Sequence, residues 1–487
     1  MNGPPGALAA PAQSAIQAAN VAFLLYFLLI NTSYLVLIVL ATAEFTAHLR
    51  SAPFAAREER YANPLTSAVS VIMPAYNEEA TIVEAVSAMT ALRYPQFEIV
   101  VVDDGCTDGT FERLREAYHL IPVPRVIPDD VRVHGRVISV HVPRHSAAPL
   151  VVVRKENGGK TDSLNAGLNI ARHPLVCMVD ADCLLDPDAL MAVSSPFAQD
   201  PLRVVATGGV IRVANGCKVV AGRVTDVRMP RRLLPGIQVV EYLRAFLLGR
   251  TGWSRLASLV IISGAFGLFR RDLVVEAGGL DPATMGEDAE LVVRLHRRMR
   301  ERRRDYRIVF VAEPVSWTEV PAQIRVLARQ RRRWHRGLTE VLWLHRRLVG
   351  NPAYGRVGLL ALPYFVIFEL FAPIVELAGI AFLVLGLTAG IINLGFAWLF
   401  LLVAYGYGLM LTMIALTVEE MAFHRYRRWS DLGAALVASL AENFGYRQLT
   451  AVWRLQGSWA AIRRSGHGWG VMTRQGFTGG SKDEGGA

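Results

Sequence analysis

The uncharged apolar run at residues 21–42, VAFLLYFLLINTSYLVLIVLAT, constrains the fold of this chain more than any other feature of the sequence. A helix needs about 20 consecutive apolar residues to cross the hydrocarbon core of a bilayer. A cleaved signal peptide is the alternative, but the preceding residues carry no positive charge and the run is longer than the apolar core of a signal peptide. The run therefore predicts a transmembrane helix at residues 20–43.

Basic residues predict the direction in which this helix crosses. Cytoplasmic flanks of membrane spans are enriched in Lys and Arg, and Arg50, Arg57 and Arg60 follow the run directly. Residues 1–19 are therefore predicted to be extracytoplasmic and disordered. The formal net charge of +10 has the same explanation, because the chain is 52% hydrophobic and its basic residues flank apolar segments.

Two further transmembrane helices are predicted at residues 356–418, one within 358–387 and one within 392–418. The basic sequence HRYRRW that follows returns the chain to the cytosol. The first of these helices contains Glu369 and Glu376, and carboxylates are costly in a bilayer, so both are expected to face protein or a polar path. For Glu369, a position at the membrane interface is an equal alternative.

Two segments have an amphipathic pattern. Residues 430–464 place Glu442, Arg447 and Arg454 among apolar residues, which favours a segment that lies on the membrane or re-enters it, with a fourth span as the alternative. Residues 238–250 fit an amphipathic helix beneath the membrane, and ordinary packing explains them at least as well.

The pattern changes at residues 63–347, where short β-rich runs alternate with helical stretches. Such alternation predicts an α/β domain with a mostly parallel sheet. Ligands of these sheets collect beyond the carboxyl ends of the strands. The predicted strands lie at residues 69–73, 98–102, 150–153 and 175–179, and an irregular insertion is expected at 121–136. The four cysteines have no zinc-site spacing and are interpreted as reduced thiols.

Asp180 and Asp182 follow the fourth predicted strand with one residue between them. Side chains at i and i+2 of a strand share a face, so the two carboxylates would repel each other unless a cation lay between them. Oxygen ligands suit Mg²⁺ or Mn²⁺ completed by substrate phosphates. A solvated acidic loop is the alternative.

Other polar residues stand at helix starts and in loops. Glu287 and Asp288 begin a helix, where acidic residues favour the macrodipole, although a carboxylate there could also act as a general base. Asp103 and Asp104 could accept hydrogen bonds from a base or ribose. The loop before Lys160 opens a helix in a position suited to phosphate, without Walker A spacing, and simple turn chemistry is the alternative.

The motifs taken together resemble the family 2 glycosyltransferases with a GT-A fold. The motifs in chain order are PAYNE, VVDDG.TDGT, GGK…LN.G, DAD, ISGAFG, GED and QRRRW. The resemblance covers residues 70–334, somewhat more than half of the chain. QRRRW with attached membrane spans is similar to the branch of cellulose, hyaluronan, chitin-oligosaccharide and poly-N-acetylglucosamine synthases.

The resemblance implies a role for each matching residue. The donor side would comprise Tyr76 and Glu78 at the uracil, Asp104 at the nucleoside, Lys160 near the donor, Asp180 at the sugar or ribose, and Gln330 and Arg333 at the diphosphate. The remaining roles would be Asp182 for the metal, Asp288 as catalytic base, Ser263 and Gly264 shaping the acceptor site, and Trp334 stacking on the acceptor sugar. The second basic run, 294–307, is interpreted as the charged side of a helix. Arg329, Arg331, Arg332 and Arg336 are expected only to meet solvent or lipid headgroups.

The implied function is inverting, Mg²⁺- or Mn²⁺-dependent transfer of a hexosyl or N-acetylhexosaminyl group from a nucleotide-sugar, with UDP favoured. The acceptor would be a growing β-linked polysaccharide at the inner face of a bacterial-type plasma membrane. A single transfer to a lipid acceptor and an inactive sugar-nucleotide-binding regulator are alternatives. Nucleic acid is not an expected partner. The small number of spans leaves room for a homo-oligomer or an accessory subunit. Residues 469–477 are a loose analogue of the branch's gating motif, in the cytosolic tail 465–487.

Overall fold

The computed structural model describes residues 10–51, 61, 63, 66–145, 148–220, 222–423 and 428–463. The predicted tail at 465–487 and most of the basic HRYRRW sequence lie outside these residues. The first helix, α1, spans Ala10–Ser51. The prediction that residues 1–19 are disordered is therefore wrong for residues 10–19, which extend the helix, while residues 1–9 are not among those described.

Twelve strands occur in the described residues. In chain order they are β1 Val69–Ala75, β2 Phe97–Asp104, β3 Leu120–Val123, β4 Val137–Pro143, β5 Leu150–Lys155, β6 Leu175–Val179, β7 Cys183–Leu185, β8 Val204–Val213, β9 Lys218–Val220, β10 Arg223–Asp226, β11 Phe266–Arg270 and β12 Arg307–Thr318. Ten of them form one sheet in the order β3-β4-β5-β2-β1-β6-β11-β8-β12-β7, and β9 pairs with β10. All four strands predicted from the sequence are present in its centre.

The sheet is mostly parallel, as predicted. Strands β5, β2, β1 and β6 pair in parallel, and so do β8 and β12. Following the antiparallel pairings outward, seven of the ten described strands point the same way, and β4, β7 and β11 oppose them. The central strands are Val- and Ile-rich and buried, which is typical of a sheet covered on both faces.

Helices cover the sheet and extend beyond it. In chain order they are α2 Ile82–Thr90, α3 Thr110–Tyr118, α4 Lys160–Ile170, α5 Ala189–Gln199, α6 Leu233–Tyr242, α7 Arg250–Arg255, α8 Arg271–Glu276, α9 Glu287–Glu301, α10 Ile324–Leu344, α11 Leu362–Tyr364, α12 Ala372–Thr388, α13 Leu394–Leu401, α14 Tyr407–Phe423, α15 Trp429–Ala441 and α16 Arg447–Ile462. Short 3-10 or π-helical turns occupy Leu243–Gly249, Arg346–Leu348, Pro352–Tyr354, Val357–Ala361, Phe365–Leu370, Leu402–Gly406 and Glu442–Tyr446.

Within the described residues, two helices are long and apolar enough to cross a membrane, Pro11–Thr46 and Leu394–Met421. The segments Val357–Leu370 and Ala372–Thr388 together meet the same criterion but are bent by 43° at their junction, so they form a third span only if the pair is counted as one. These positions agree with the three apolar segments predicted from the sequence.

Both carboxylates within the bent pair face protein, as predicted. The side chain of Glu369 accepts a hydrogen bond from the Tyr34 hydroxyl at 3.0 Å and forms an ion pair with Arg454 at 3.1 Å. Glu376 lies 3.5 Å from Arg447. The two arginines are seven residues apart, about two helical turns, on one face of α16. The two glutamates have the same spacing, so each arginine can pair with one glutamate.

The segment predicted to be amphipathic or re-entrant forms the two helices α15 and α16, which are separated by a sharp kink. At the kink, Phe444 and Gly445 leave helical geometry, and Gly445 has a φ of 88°. Helix α16 packs along α10 and α12, while α15 packs against α6. Residues 430–463 therefore form a packing layer between the sheet domain and the apolar helices, and no helix among these described residues meets the criterion for a fourth span.

Ion pairs join this layer and the apolar helices to the domain. Arg212 of β8 contacts Glu419 of α14 at 2.5 Å, and both residues are buried. Arg244, in the turn after α6, contacts Glu442 at 2.5 Å and Thr412 at 2.8 Å. Most residues of α6 are buried, so the sequence at 238–250 is explained by packing between the sheet and the apolar helices.

Candidate active site

The functional residues predicted from separate motifs converge on one edge of the sheet. Parallel strands β1, β2, β5 and β6 all end at this edge, and β11 runs the other way, so its first residue, Phe266, lies there beside Val179. Tyr76, Asp104 and Asp180 follow or end these strands. The ISGAFG motif precedes β11. The edge predicted to bind a nucleotide is thus formed by residues far apart in the chain.

Tyr76 and Glu78 lie in the loop after β1. Tyr76 is 49% exposed, and its predicted stacking on a base stays a prediction. The loop is held by Asn77, which has a φ of 55° and whose side-chain oxygen accepts from the Thr107 amide at 2.9 Å. The Glu78 amide donates to the Thr110 hydroxyl at 2.9 Å. These hydrogen bonds join the loop after β1 to the loop after β2.

Asp104, predicted to bind the nucleoside, is buried and already accepts several hydrogen bonds. Its carboxylate accepts hydrogen bonds from Nζ of Lys155 at 2.6 Å and from the amides of Gly158 and Gly159 at 3.0 and 2.8 Å. Gly159 has a φ of 86°, a conformation that suits glycine. The structure gives Asp104 the role of shaping the loop that starts α4, and direct contact with the nucleoside stays a prediction.

Lys155 connects this loop to a second buried carboxylate. It is fully buried, and its Nζ lies 2.9 Å from Asp162 as well as 2.6 Å from Asp104. Burial would raise the pKa of Asp162, but the amides of His134 and Gly135 and the Lys155 ammonium lower it overall. The expected insertion at 121–136 is thereby anchored to the site, and its first residues form part of β3.

Lys160 is the first residue of α4, and its ammonium lies among carboxylates. Nζ is 2.5 Å from Asp180 and 3.7 Å from Glu287. Burial would lower the pKa of Lys160, but Asp180, Glu287 and Asp288 raise it overall. Burial raises the pKa of Glu287 to about 7, against the opposing effect of Lys160. The motifs GGK, DAD and GED therefore meet at one charge cluster.

Asp182 lies next to this cluster at the start of β7. One carboxylate oxygen is 3.5 Å from the Thr318 hydroxyl, and the other is 3.8 Å from the Cys183 thiol. The described residues contain no group of three or more His, Cys, Asp or Glu side chains arranged to hold a metal. This donor set fits a Mg²⁺-type cation that is held by one carboxylate and completed by phosphate oxygens and water.

Asp288 is oriented by backbone amides. Its Oδ2 accepts from the Gly264 amide at 2.9 Å and its Oδ1 from the Ala289 amide at 2.8 Å. A Cβ added to Gly264 would stand 3.2 Å from Nζ of Lys160 and 3.5 Å from Cβ of Asp288, so glycine lets the backbone approach both side chains closely. The ISGAFG motif thus positions the carboxylate of the GED motif.

Helix α10 carries the QRRRW motif. Gln330 is buried, and its Oε1 has no hydrogen-bond partner among the described residues. Trp334 is 37% exposed, and the guanidinium of Arg331 lies 4.7 Å from the centroid of its indole. Arg333 is half-buried on the same turn. The exposed part of the indole is available for stacking on a sugar.

The interpretation of the other arginines in this run was wrong for two of them. Arg331 is buried and forms a bidentate ion pair with Glu241, with both N–O distances 2.7 Å. Arg336 is also buried, and its Nε donates to Glu340 at 2.7 Å. Arg332 is exposed, as expected. Glu241 lies on another element, 90 residues away, so the sequence pattern does not show the first pair, whereas Glu340 lies one turn further along α10 at the i,i+4 spacing of a helical ion pair.

An aromatic wall flanks Trp334, and the sequence reasoning did not identify it. It consists of Tyr242, Phe246 and Trp334, with ring centroids 4.3 Å apart for the first two and 6.4 and 6.3 Å from each of these to Trp334. Burial raises the pKa of Tyr242, and the charges of Glu241 and Asp182 act in the same direction, against those of Arg331 and Arg250. The signal available in the sequence was the aromatic spacing Tyr242 to Phe246, four residues apart on one helical face.

Comparison with known families identifies the domain that contains these residues. The family described as "Glycosyl transferase family 2" matches residues 70–139, and "Glycosyltransferase like family 2" matches residues 128–337, so that together they cover more than half of the chain. The chain belongs to glycosyltransferase family 2. The matched residues, 70–337, include every residue predicted from the motifs.

Curated relatives include two poly-beta-1,6-N-acetyl-D-glucosamine synthases. The protein of Staphylococcus aureus strain COL is 29% identical over 276 residues, covering 56% of this family 2 glycosyltransferase and 55% of the relative. The Staphylococcus epidermidis protein is 26% identical over 275 residues, with the same coverage. The chain therefore spans about half the length of the curated relatives it matches.

Solved structures superpose loosely on this glycosyltransferase. The mannosyltransferase PcManGT from Pyrobaculum calidifontis, in complex with GDP-Man and Mn²⁺, is 22% identical and has a TM-score of 0.49, covering 85% of this chain and 99% of that one. Residues 1–349 of TarS from Staphylococcus aureus are 14% identical with a TM-score of 0.38, covering 83% and 94%.

Proposed function

We propose that this protein transfers a sugar from a nucleotide-sugar, with UDP favoured, to an acceptor hydroxyl with inversion at the anomeric carbon. The observation that carries the proposal is the orientation of Asp288 by the Gly264 amide at 2.9 Å, next to the cluster formed by Lys160 and Asp180. A carboxylate held in this way beside the Lys160–Asp180 ion pair has the position of a general base.

The proposed reaction is a single displacement. Asp288 removes the proton of the acceptor hydroxyl, and the hydroxyl oxygen forms a bond to the anomeric carbon. The bond from that carbon to the diphosphate oxygen breaks on the opposite face, and its electron pair leaves with the nucleoside diphosphate. An α-linked donor therefore gives a β-linked product. Arg333 and Gln330 on α10 would bind the departing diphosphate, and Tyr76 would stack on the base.

A divalent cation, Mg²⁺ or Mn²⁺, fits the proposal. Asp182 would hold it, because it stands two residues after Asp180 of the charge cluster, and carboxylate oxygens are the ligands that such cations prefer. When bound, the cation would neutralise charge on the diphosphate. Asp180 is paired with Lys160 at 2.5 Å, so it would orient Lys160 and the donor sugar or ribose.

The acceptor proposed is a growing β-linked polysaccharide at the inner face of the plasma membrane. The support comes from similarity to poly-beta-1,6-N-acetyl-D-glucosamine synthases and from the apolar helices packed beside the domain. We propose a multi-pass arrangement with a cytosolic domain, and contacts to membrane lipid along the apolar helices. A single addition to a lipid acceptor uses the same geometry, and the length of the product distinguishes the two.

The direct test is release of nucleoside diphosphate by the purified full-length protein. UDP- and GDP-sugars of glucose, N-acetylglucosamine and mannose are supplied with Mg²⁺, with Mn²⁺ or with a chelator. We expect release from one UDP-sugar, its loss with chelator, and a ladder of products on a gel. A protein that binds a donor but never releases nucleotide would be a regulator, and the proposal would be rejected.

Replacing Trp334 by alanine should impair the use of the acceptor more than the binding of the donor. Stacking of a sugar or base on an aromatic side chain contributes on the order of 1–3 kcal/mol, so we expect the KM for the acceptor to rise roughly tenfold or more. The dissociation constant of UDP should change less than twofold. Trp343→Ala, nine residues further along α10 and 68% exposed, is the matched control. Equal losses for donor and acceptor would contradict the assignment.

A further inference from the structure

Arg250 lies in the site but belongs to none of the motifs. It begins α7, directly after the turn that carries Phe246, and its guanidinium carbon is 4.1 Å from the centroid of the Phe246 ring. Phe246 in turn packs against Tyr242 and Trp334. Arg250 therefore packs against the aromatic wall, beside the proposed acceptor position.

The guanidinium of Arg250 has no oxygen partner in the described part of the chain. Its Nη1 is buried without a hydrogen-bond partner there, and it forms no ion pair with a described residue. Arg331 on the same wall has a carboxylate partner. Buried polar groups in proteins are nearly always hydrogen-bonded, so an unpartnered guanidinium nitrogen needs an explanation, such as a ligand, a water molecule or a catalytic role.

The surrounding charges place Arg250 near the reaction centre. Burial lowers the pKa of Arg250 to about 10, while the carboxylate of Asp288 and the phenol of Tyr242 act in the opposite direction. The side chain is therefore still cationic at neutral pH, and it lies close enough to Asp288 to be affected by its charge. The guanidinium also lies over the ring of Phe246, one of the three residues of the aromatic wall.

We propose that Arg250 binds the nucleoside diphosphate of the donor, with its free guanidinium N–H groups donating to phosphate oxygens. This inference rests on the proposed function. An acceptor sugar offers neutral hydroxyls, whereas the diphosphate is the anionic group that the substrates bring. Lys160 is already matched by Asp180 and Glu287, so it supplies little free positive charge. Hydrogen bonds from a cation to an anionic oxygen are about twice as strong as neutral ones.

The contact would also strengthen during the reaction. Negative charge moves onto the diphosphate oxygen as its bond to the anomeric carbon breaks, and a fixed cation at that position stabilises the developing charge. Arg250 would therefore contribute both to donor binding and to the rate of transfer.

The test compares the full-length wild-type protein with Arg250→Met and Arg250→Lys in detergent. UDP with Mn²⁺ is the probe, and both its dissociation constant and its effect on the melting temperature are measured. We expect the melting temperature of ligand-free Arg250→Met to equal or exceed that of wild type, because an unmatched buried charge has been removed. The dissociation constant of UDP should rise at least tenfold, and the increase in melting temperature on UDP addition should shrink accordingly. Arg250→Lys keeps the charge without the planar fork, and an intermediate affinity is expected.

The matched control is Arg255→Met, at the other end of α7, where the arginine is 41% exposed and pairs with Glu44. Its affinity for UDP should remain that of wild type. An unchanged UDP affinity in Arg250→Met, or a raised KM for the acceptor alone, would overturn the inference while leaving the proposed function intact. A clear loss of ligand-free stability in Arg250→Met would also overturn it, since the side chain would then be structural. Absence of UDP binding by the wild-type protein would refute the proposed function itself.

Discussion

Replacing Asp288 by asparagine should reduce the rate of sugar transfer by about 10²–10⁴, the usual contribution of a general base. The amide has the same shape, and its oxygen can still accept the Gly264 amide that holds the carboxylate at 2.9 Å. The amide nitrogen cannot accept the Ala289 amide, which donates to Oδ1 at 2.8 Å, so the site would lose that hydrogen bond as well as the group that takes the proton. We expect the loss in kcat, with UDP affinity within a few-fold of wild type.

Transfer is measured by nucleotide release at saturating donor and acceptor, and donor affinity is measured separately by UDP binding. The control is Asp272→Asn, an exchange of the same kind. Asp272 follows the end of β11, its side chain is 58% exposed, and the variant should keep full activity. Transfer by Asp288→Asn at the wild-type rate would remove Asp288 from the mechanism, and Glu287 would be the next carboxylate to test.

Replacing Lys155, whose ammonium is buried, by methionine should strongly lower the stability of the protein. Substitution by methionine keeps the volume but leaves Asp104 and Asp162 without their cation, in a place where both are almost fully buried. Removing one partner of a buried ion pair typically costs about 3–5 kcal/mol. We expect the free energy of unfolding of the full-length protein in detergent to fall by about this amount. Donor affinity should fall with it, because Asp104 holds the amides of Gly158 and Gly159.

Denaturant titration monitored by circular dichroism gives the change in stability. Adding Asp162→Asn to Lys155→Met should recover part of the loss, since the double variant leaves one unmatched carboxylate fewer. The control is Lys218→Met, an exposed lysine of β9, which should have no measurable effect. A Lys155→Met protein as stable as wild type would show that the network is solvated or protonated and does not hold the loop.

The sequence predicted correctly those features that depend on residues adjacent in the chain. The central strands, the acidic pair after β6 and the helix that begins at Glu287 are all encoded by consecutive residues, and parallel topology then brings their ends to one edge. Prediction from the sequence failed where a side chain is matched by a residue far along the chain. Arg331 reaches Glu241, 90 residues away, and Lys155 reaches Asp104 on the neighbouring strand, 51 residues away. A single sequence shows the charge of such residues and nothing of their partners.

Arg250 and the aromatic wall were missed for a related reason. Residues 238–250 have the composition of a buried helix, and packing was judged at least as good an explanation as a membrane position. Packing does explain most of that segment. The informative residue is the one that packing does not satisfy, and it becomes visible only when the contacts of each guanidinium nitrogen are known.

The contact between α16 and α10 has a practical consequence for anyone who wishes to study the domain alone. At Gly457 the two helices approach so closely that a Cβ would stand 2.4 Å from the Arg332 carbonyl oxygen, and Thr339 meets Ser458 at 3.2 Å. A fragment cut after residue 347 would lose this cover from the helix that bears Gln330, Arg333 and Trp334. We expect such a fragment to aggregate or to bind acceptor poorly. Expression of the intact polypeptide, with purification tags placed beyond Ile462, preserves the arrangement on which catalysis is proposed to depend.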